Sequence, residues 1–181
     1  SIICYNKYMH MRPSTSLILD PVFTLQPLQI EEGMHVAALG CGGHGHFVFP
    51  LARLVGPKGK VYAIDIRKAA LNSIERQAQA EGFHCVVPIW SDLERVGATN
   101  IPEGSVHRAT LFNALHQMKD RLSALRETRR LLNSSGRLLV VEWSAKAALF
   151  GPSVDRRINL EKLIEDAKEA GFVADMHFHP G

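Results

Sequence analysis

Cysteine is scarce and scattered: Cys4, Cys41 and Cys85 are the 3 in 181 residues, an odd number with no clustered spacing. A disulfide framework does not fit that pattern, and the three are read as free thiols. Long apolar runs are missing too, and no segment reaches the roughly 20 apolar residues needed to span a bilayer. The first residues lack the basic, apolar and small-residue succession of a secretory leader, so the expected compartment is the cytoplasm. Charge of one sign is also lacking. With 21 Lys and Arg against 18 Asp and Glu, the formal charge of +3 gives no argument for a nucleic-acid partner. Cys41 has His44 and His46 close by in sequence, but the fourth ligand of a recognised zinc spacing is absent, and no metal is expected. His177 and His179 alternate as two residues on one face of a strand would.

Glycine, by contrast, gathers in one stretch. From Met34 to Ile66 the chain reads as an apolar strand, a turn containing Gly40, Gly42 and Gly45, a helix, and a second apolar strand ending in Asp65. Glycines at such a turn admit unusual dihedrals and let main-chain N–H groups approach a ligand without a Cβ in the way. The helix that follows aims its unpaired N–H groups and the positive end of its dipole at the same place. An acidic strand end about 20 to 25 residues downstream can accept hydrogen bonds from ribose hydroxyls. An adenosyl or dinucleotide ligand fits both features.

The rest of the chain alternates strand and helix. Residues 1–33 form an irregular N-terminal arm with one short helix near Val22 to Leu28, broken by prolines; it covers the cleft or serves as a docking tail. Residues 34–181 form one domain. Its expected strands are Val36–Leu39, Val61–Ile66, Cys85–Trp90, Val106–Phe112, Arg137–Trp143 and Phe172–Phe178. Helices are expected at about His46–Val55, Lys68–Glu81, Lys119–Leu132 and after an Asn159 cap, with Gly82 and Gly171 as stops. In the helix over 119–132, Leu122, Leu125 and Leu132 are expected inside and Arg126, Arg129 and Arg130 on a solvated face. This alternation predicts an α/β, doubly wound, mostly parallel sheet covered on both sides. Parallel strands present ligands at their carboxyl ends, which would bring Gly40 to Gly45, Asp65, Ser91-Asp92 and Asn113 to one rim.

The blocks Val36–Gly42, Gly56–Asp65, Leu111–His116 and Leu131–Glu142 resemble the class I S-adenosylmethionine-dependent methyltransferases, in particular their small-molecule, quinone-biosynthesis-like branch. The resemblance covers Ile30 to Phe178. It implies a Rossmann-like sheet and S-adenosylmethionine as cofactor, with the methionine portion over Gly40, Cys41, Gly42 and Gly45. The ribose would then lie on Asp65, the adenine beside Ile66, Asp92 and Leu93, and Asn113 next to the methionine portion or the acceptor. The partner implied is a small-molecule methyl acceptor. His116 is the candidate base, although a histidine after a strand more often has a structural role. Trp90, Phe112 and Trp143 are read either as acceptor-pocket walls or as core.

Three departures accompany the resemblance. Ala38 stands where the family usually has an acid, and His107 where relatives often have Asp, which puts support of the glycine loop in question. The family's seventh strand is missing from the expected pattern. The open sheet edge would be closed by a partner chain, giving a homodimer, or by the N-terminal arm. Ala38, His107 and the short C-terminus motivate an alternative reading, a cofactor-impaired interaction module. The glycine pattern alone would also suit a nicotinamide oxidoreductase, which the later blocks oppose.

Overall fold

The computed structural model describes residues 1–6, 20–143 and 153–173. Six strands appear among them: β1 (Ile2–Asn6), β2 (His35–Leu39), β3 (Lys60–Asp65), β4 (Val86–Trp90), β5 (Val106–Phe112) and β6 (Leu132–Glu142). The helices are α1 (Pro21–Leu25), α2 (Val48–Val55), α3 (Lys68–Glu81), α4 (Arg121–Leu131) and α5 (Leu160–Glu169). The strands form one sheet in the order β1-β6-β5-β2-β3-β4, with every neighbouring pair parallel. After β2 the chain winds outward through β3 and β4, then returns to the other side of β2 for β5 and β6. The direction of winding therefore reverses between β2 and β5, and there the crevice opens.

Alternation along the strands explains why the sheet is covered twice. Val36 and Ala38 of β2, Val61 and Ala63 of β3, and Leu139 and Val141 of β6 pack with Leu51, Val55 and Ile74 of α2 and α3. Ala37, Leu39, Ile64, Leu138 and Val140 point the other way, toward Leu125 and Leu131 of α4 and Leu163 and Ala167 of α5. Pro88 lies in β4 at the sheet edge, where its missing N–H removes no ladder bond that a central strand would need. Local chemistry sets the helix ends. Asp20, Asp120 and Asn159 cap α1, α4 and α5 with their side chains, and Gly82, at φ +74°, closes α3.

Several expectations are corrected. The N-terminal arm is not all irregular: residues 2–6 pair with Leu138–Glu142, closing the edge that had motivated a dimer. Residues 133–136, left between the expected helix and the expected strand at 137–143, are an irregularity within β6, since Val106 is in register with Leu132 and Arg108 with Arg137. Gly136 is required there because a Cβ would lie 2.8 Å from Leu132 Cβ. In α4, Leu122 is only half-buried. Arg129 and Arg130 are likewise half-buried, because their guanidinium groups bond backbone carbonyls. Phe172 and Val173 are outside any strand, and the rest of the expected strand at 172–178, with His177 and His179, lies outside the described residues. No helix among the described residues is long and apolar enough to cross a membrane.

Candidate functional site

The loop from β2 to α2 turns at Gly40, Gly42 and Gly45, with φ of +64°, +66° and +63°. A Cβ on Gly40 would come within 2.7 Å of Ala114 Cβ, so the turn sits directly against the chain leaving β5. At Gly45 a Cβ would run into the Phe49 ring, so glycine lets the first turn of α2 pack against the loop. The helix begins at Val48, later than expected, and the Phe49 N–H bonds back to the Gly45 carbonyl at 3.1 Å.

Asp65, at the end of β3, is 4% exposed. Its Oδ2 accepts the Gly42 N–H at 2.9 Å, and its Oδ1 accepts the Arg67 N–H at 2.9 Å and Arg67 Nε at 3.2 Å. Burial alone would raise its pKa. The Arg67 guanidinium and the two main-chain donors outweigh that and hold the carboxyl below its ordinary range. Cys41, between the glycines, is pushed the other way: burial and the Asp65 charge raise its thiol to about 12, so it stays protonated and chemically quiet.

On the β4 side, Ile66 and Trp90 are both more than half exposed, and Trp90 Nε1 donates to the Ile66 carbonyl at 2.7 Å. Asp92 Oδ1 accepts the Glu94 N–H at 3.0 Å, while the Leu93 side chain is buried in the core, leaving only its backbone to meet a ligand. Ser91 is tied to Thr99 by a hydroxyl pair at 2.9 Å. On the β5 side, Asn113 has φ +50°, and its buried Oδ1 has no partner among the described residues. Phe112 is stacked on Phe47 with centroids 3.6 Å apart. It therefore forms a wall beside the glycine turn rather than deep core.

Two groups were not recognised from sequence. Glu142, at the end of β6, is 5% exposed; its Oε1 accepts the Leu115 N–H at 2.6 Å and its Oε2 lies 2.9 Å from His116 Nδ1. The signal was present, because Glu142 is a polar strand end like Asp65 and Asn113. Glu127 of α4 is fully buried and accepts the N–H groups of Gly97 at 2.6 Å and Thr99 at 3.0 Å, with Arg130 on both oxygens at 2.8 Å. The spacing of Glu127 and Arg130 on one helix face was its only trace in sequence.

The two substitutions at odds with the resemblance lie in different places. His107 accepts the His35 N–H on Nδ1 at 3.0 Å, at the amino ends of the strands and away from the glycine turn. It therefore gives no support to the interaction-module reading. Ala38 is 3% exposed, in register with Thr110, whose buried hydroxyl also has no partner among the described residues.

A family model described as "Methyltransferase domain" matches residues 30–175. The chain is 32% identical over 123 residues to the ubiquinone/menaquinone biosynthesis C-methyltransferase UbiE of Hahella chejuensis, a match covering 67% of this chain and 48% of that protein. It is 24% identical over 151 residues to the demethylmenaquinone methyltransferase of Geobacillus stearothermophilus, covering 83% and 58%. The chain thus spans about half the length of the curated relatives it matches. Among solved structures, a SAM-dependent methyltransferase from Aquifex aeolicus superposes with TM-score 0.76 at 25% identity, covering 84% of this chain and 79% of that one. The cyclase SpnF reaches TM-score 0.70 at 22% identity, covering 83% and 55%, and shares the fold alone. One sheet thus hosts different reactions, and assignment must come from sequence matched across the site as well as from shape. The family model supplies that, running through the glycine turn, Asp65 and the ends of β4, β5 and β6, and the chain belongs to the class I S-adenosylmethionine-dependent methyltransferase family.

Proposed function

We propose that this chain holds S-adenosylmethionine at the carboxyl ends of β2, β3 and β5 and promotes transfer of its methyl group to a small-molecule acceptor. The observation that carries this reading is the bond between Gly42 N–H and Asp65 Oδ2. It sets a buried carboxylate against a turn built for close backbone approach, an arrangement that is costly in a core and suited to a ribose. Asn113 fits the same cofactor. Its buried Oδ1 has no partner among the described residues, the next residue is Ala114, on which the glycine turn rests, and an ammonium group would complete it. Ile66 and the backbone of Asp92 and Leu93 would border the adenine.

When bound, S-adenosylmethionine supplies an electrophilic methyl group and is left as S-adenosylhomocysteine. The names of the relatives support an electron-rich ring carbon of a quinol-type compound as acceptor. Methylation at carbon releases a proton, and His116, beside the ends of β5 and β6, is the proposed acceptor of it. With Glu142 ionised, its Oε2 would accept from Nδ1–H of His116, which leaves Nε2 as the ring atom that could accept a proton. Positioning and exclusion of water would supply the remaining rate enhancement.

Calorimetric titration with S-adenosylhomocysteine, with NAD as control, tests the cofactor site. Micromolar binding of the first and none of the second is expected; no response to S-adenosylhomocysteine would sink the reading. With a demethylated quinol as acceptor, His116→Ala should lower kcat by about 100-fold and leave affinity for S-adenosylhomocysteine unchanged. An unaltered kcat would remove His116 from the chemistry.

A further inference from the structure

The four donors around Asp65 raise a question of capacity. An ionised carboxylate offers about four lone-pair positions. Two are taken by main-chain groups that cannot leave: Gly42 N–H in the turn, and Arg67 N–H at the residue preceding α3. The Arg67 side chain takes the others, with Nε 3.2 Å from Oδ1 and Nη2 3.5 Å from Oδ2. A ribose diol brings two more donors. Six donors cannot share four positions, so one pair must yield.

The guanidinium is the pair able to move. Its side chain is 65% exposed against 5% for Asp65, and it sits at the end of a flexible stem. It also stands over the turn itself, because a Cβ built on Gly42 would have Arg67 Nη2 as its nearest atom, 3.9 Å away. One side chain thus covers both the ribose acceptor and the glycine floor. We propose that Arg67 is the residue that sets cofactor affinity in this chain, by occupying the ribose positions on Asp65 and having to swing out before an adenosyl ligand can enter. The inference rests on the cofactor reading above and adds that Arg67 opposes binding, where a cation near a carboxylate-bearing ligand would ordinarily be expected to help it.

The sign of the effect is the test. S-adenosylhomocysteine carries balanced charges, so its binding should respond to salt only through the protein's own ion pairs. Wild type, Arg67→Ala, Arg67→Gln and Arg67→Lys are titrated calorimetrically at about 50 mM and about 500 mM salt, with thermal melts to verify folding. Arg67→Ala should bind about fivefold more tightly than wild type at low salt, the size expected for releasing a partly exposed pair. Arg67→Lys, which keeps the charge without the two-pronged geometry, should fall between. Wild-type affinity should rise with salt while that of Arg67→Ala stays level. Weaker or equal binding by Arg67→Ala, or matching salt responses, would overturn the role of Arg67 while leaving the cofactor site intact. Binding by none of the folded proteins would overturn both. Binding by Arg67→Ala alone would mark Arg67 as a complete block and support the proposal in its strongest form.

Discussion

At Ala38 one missing carboxylate and one unpaired hydroxyl coincide. Thr110 lies opposite Ala38 across β2 and β5, the residue 1% exposed and its hydroxyl without a partner among the described residues. Ala38→Asp would give that hydroxyl an acceptor and restore the acid usual in the family. Tighter binding of S-adenosylhomocysteine, by about tenfold, is expected from a regained charge-assisted hydrogen bond. A carboxylate buried among α2 side chains should also cost about 1–3 kcal/mol of stability. Calorimetry and a thermal melt read the two effects separately, and unchanged affinity would mean that position 38 does not communicate with the ligand. The other departure, His107, carries no such expectation, since its partner is the His35 N–H at the opposite end of the sheet.

Among the elements, α4 does more than cover a sheet face. Through Glu127 and Arg130 it grips the loop that follows β4: Arg130 reaches the carbonyls of Thr99 and Ile101 while Glu127 takes the N–H groups of Gly97 and Thr99. Thr99 in turn holds Ser91, one residue before Asp92 on the expected adenine side. Burial alone would raise the Glu127 pKa, but Arg130, Gly97 and Thr99 bring it down from 4.5 to about 2. A carboxyl whose folded value lies below its unfolded value stabilises the fold above the unfolded pKa. That contribution disappears as pH falls from 4.5 through about 2. The difference corresponds to about 3 kcal/mol. Glu127→Gln should therefore lower stability near pH 7 by about 2–4 kcal/mol and flatten its acid dependence in that window. Urea unfolding across pH tests this, and a variant retaining the wild-type acid slope would show that Glu127 is not its source.

For the whole molecule, the position of β1 matters most. It extends the parallel sheet beside β6, buries Ile2 at 1% exposure, and is held at Ser1, whose nitrogen donates to the Gly136 carbonyl at 3.0 Å. The Ile2 N–H bonds the Val173 carbonyl at 3.0 Å, joining the strand to the chain beyond α5. Deleting residues 1–6 should cost about 2–5 kcal/mol through the lost Ile2 side chain and leave the edge of β6 open to pairing. Reduced urea stability and concentration-dependent light scattering are the expected readouts. A truncated protein that stays monodisperse and equally stable would show that β1 contributes nothing to closing the sheet.

Local order in the chain determined the unit from β2 to β3 and the span of α3, which falls on Lys68–Glu81 as its apolar spacing and Gly82 require. Period-two and helical patterns record which face of an element is buried, and a glycine turn followed by an acidic strand end records a ligand site within one βαβ unit. What those patterns cannot carry is which polar groups meet across crossovers. Glu142 and His116 are 26 residues apart, and Glu127 and Thr99 28, brought together only once β5, β6 and α4 have packed. β1 escaped notice for a related reason: its five residues lie in a segment without regular punctuation, and their strand exists because β6 offers them an edge. Arg67 was legible as a residue but not in its role, since only the folded turn brings its guanidinium over Gly42 and onto Asp65. Sequence periodicity encodes burial, whereas hydrogen-bond partnership and edge closure are long-range contacts that only the tertiary structure decides.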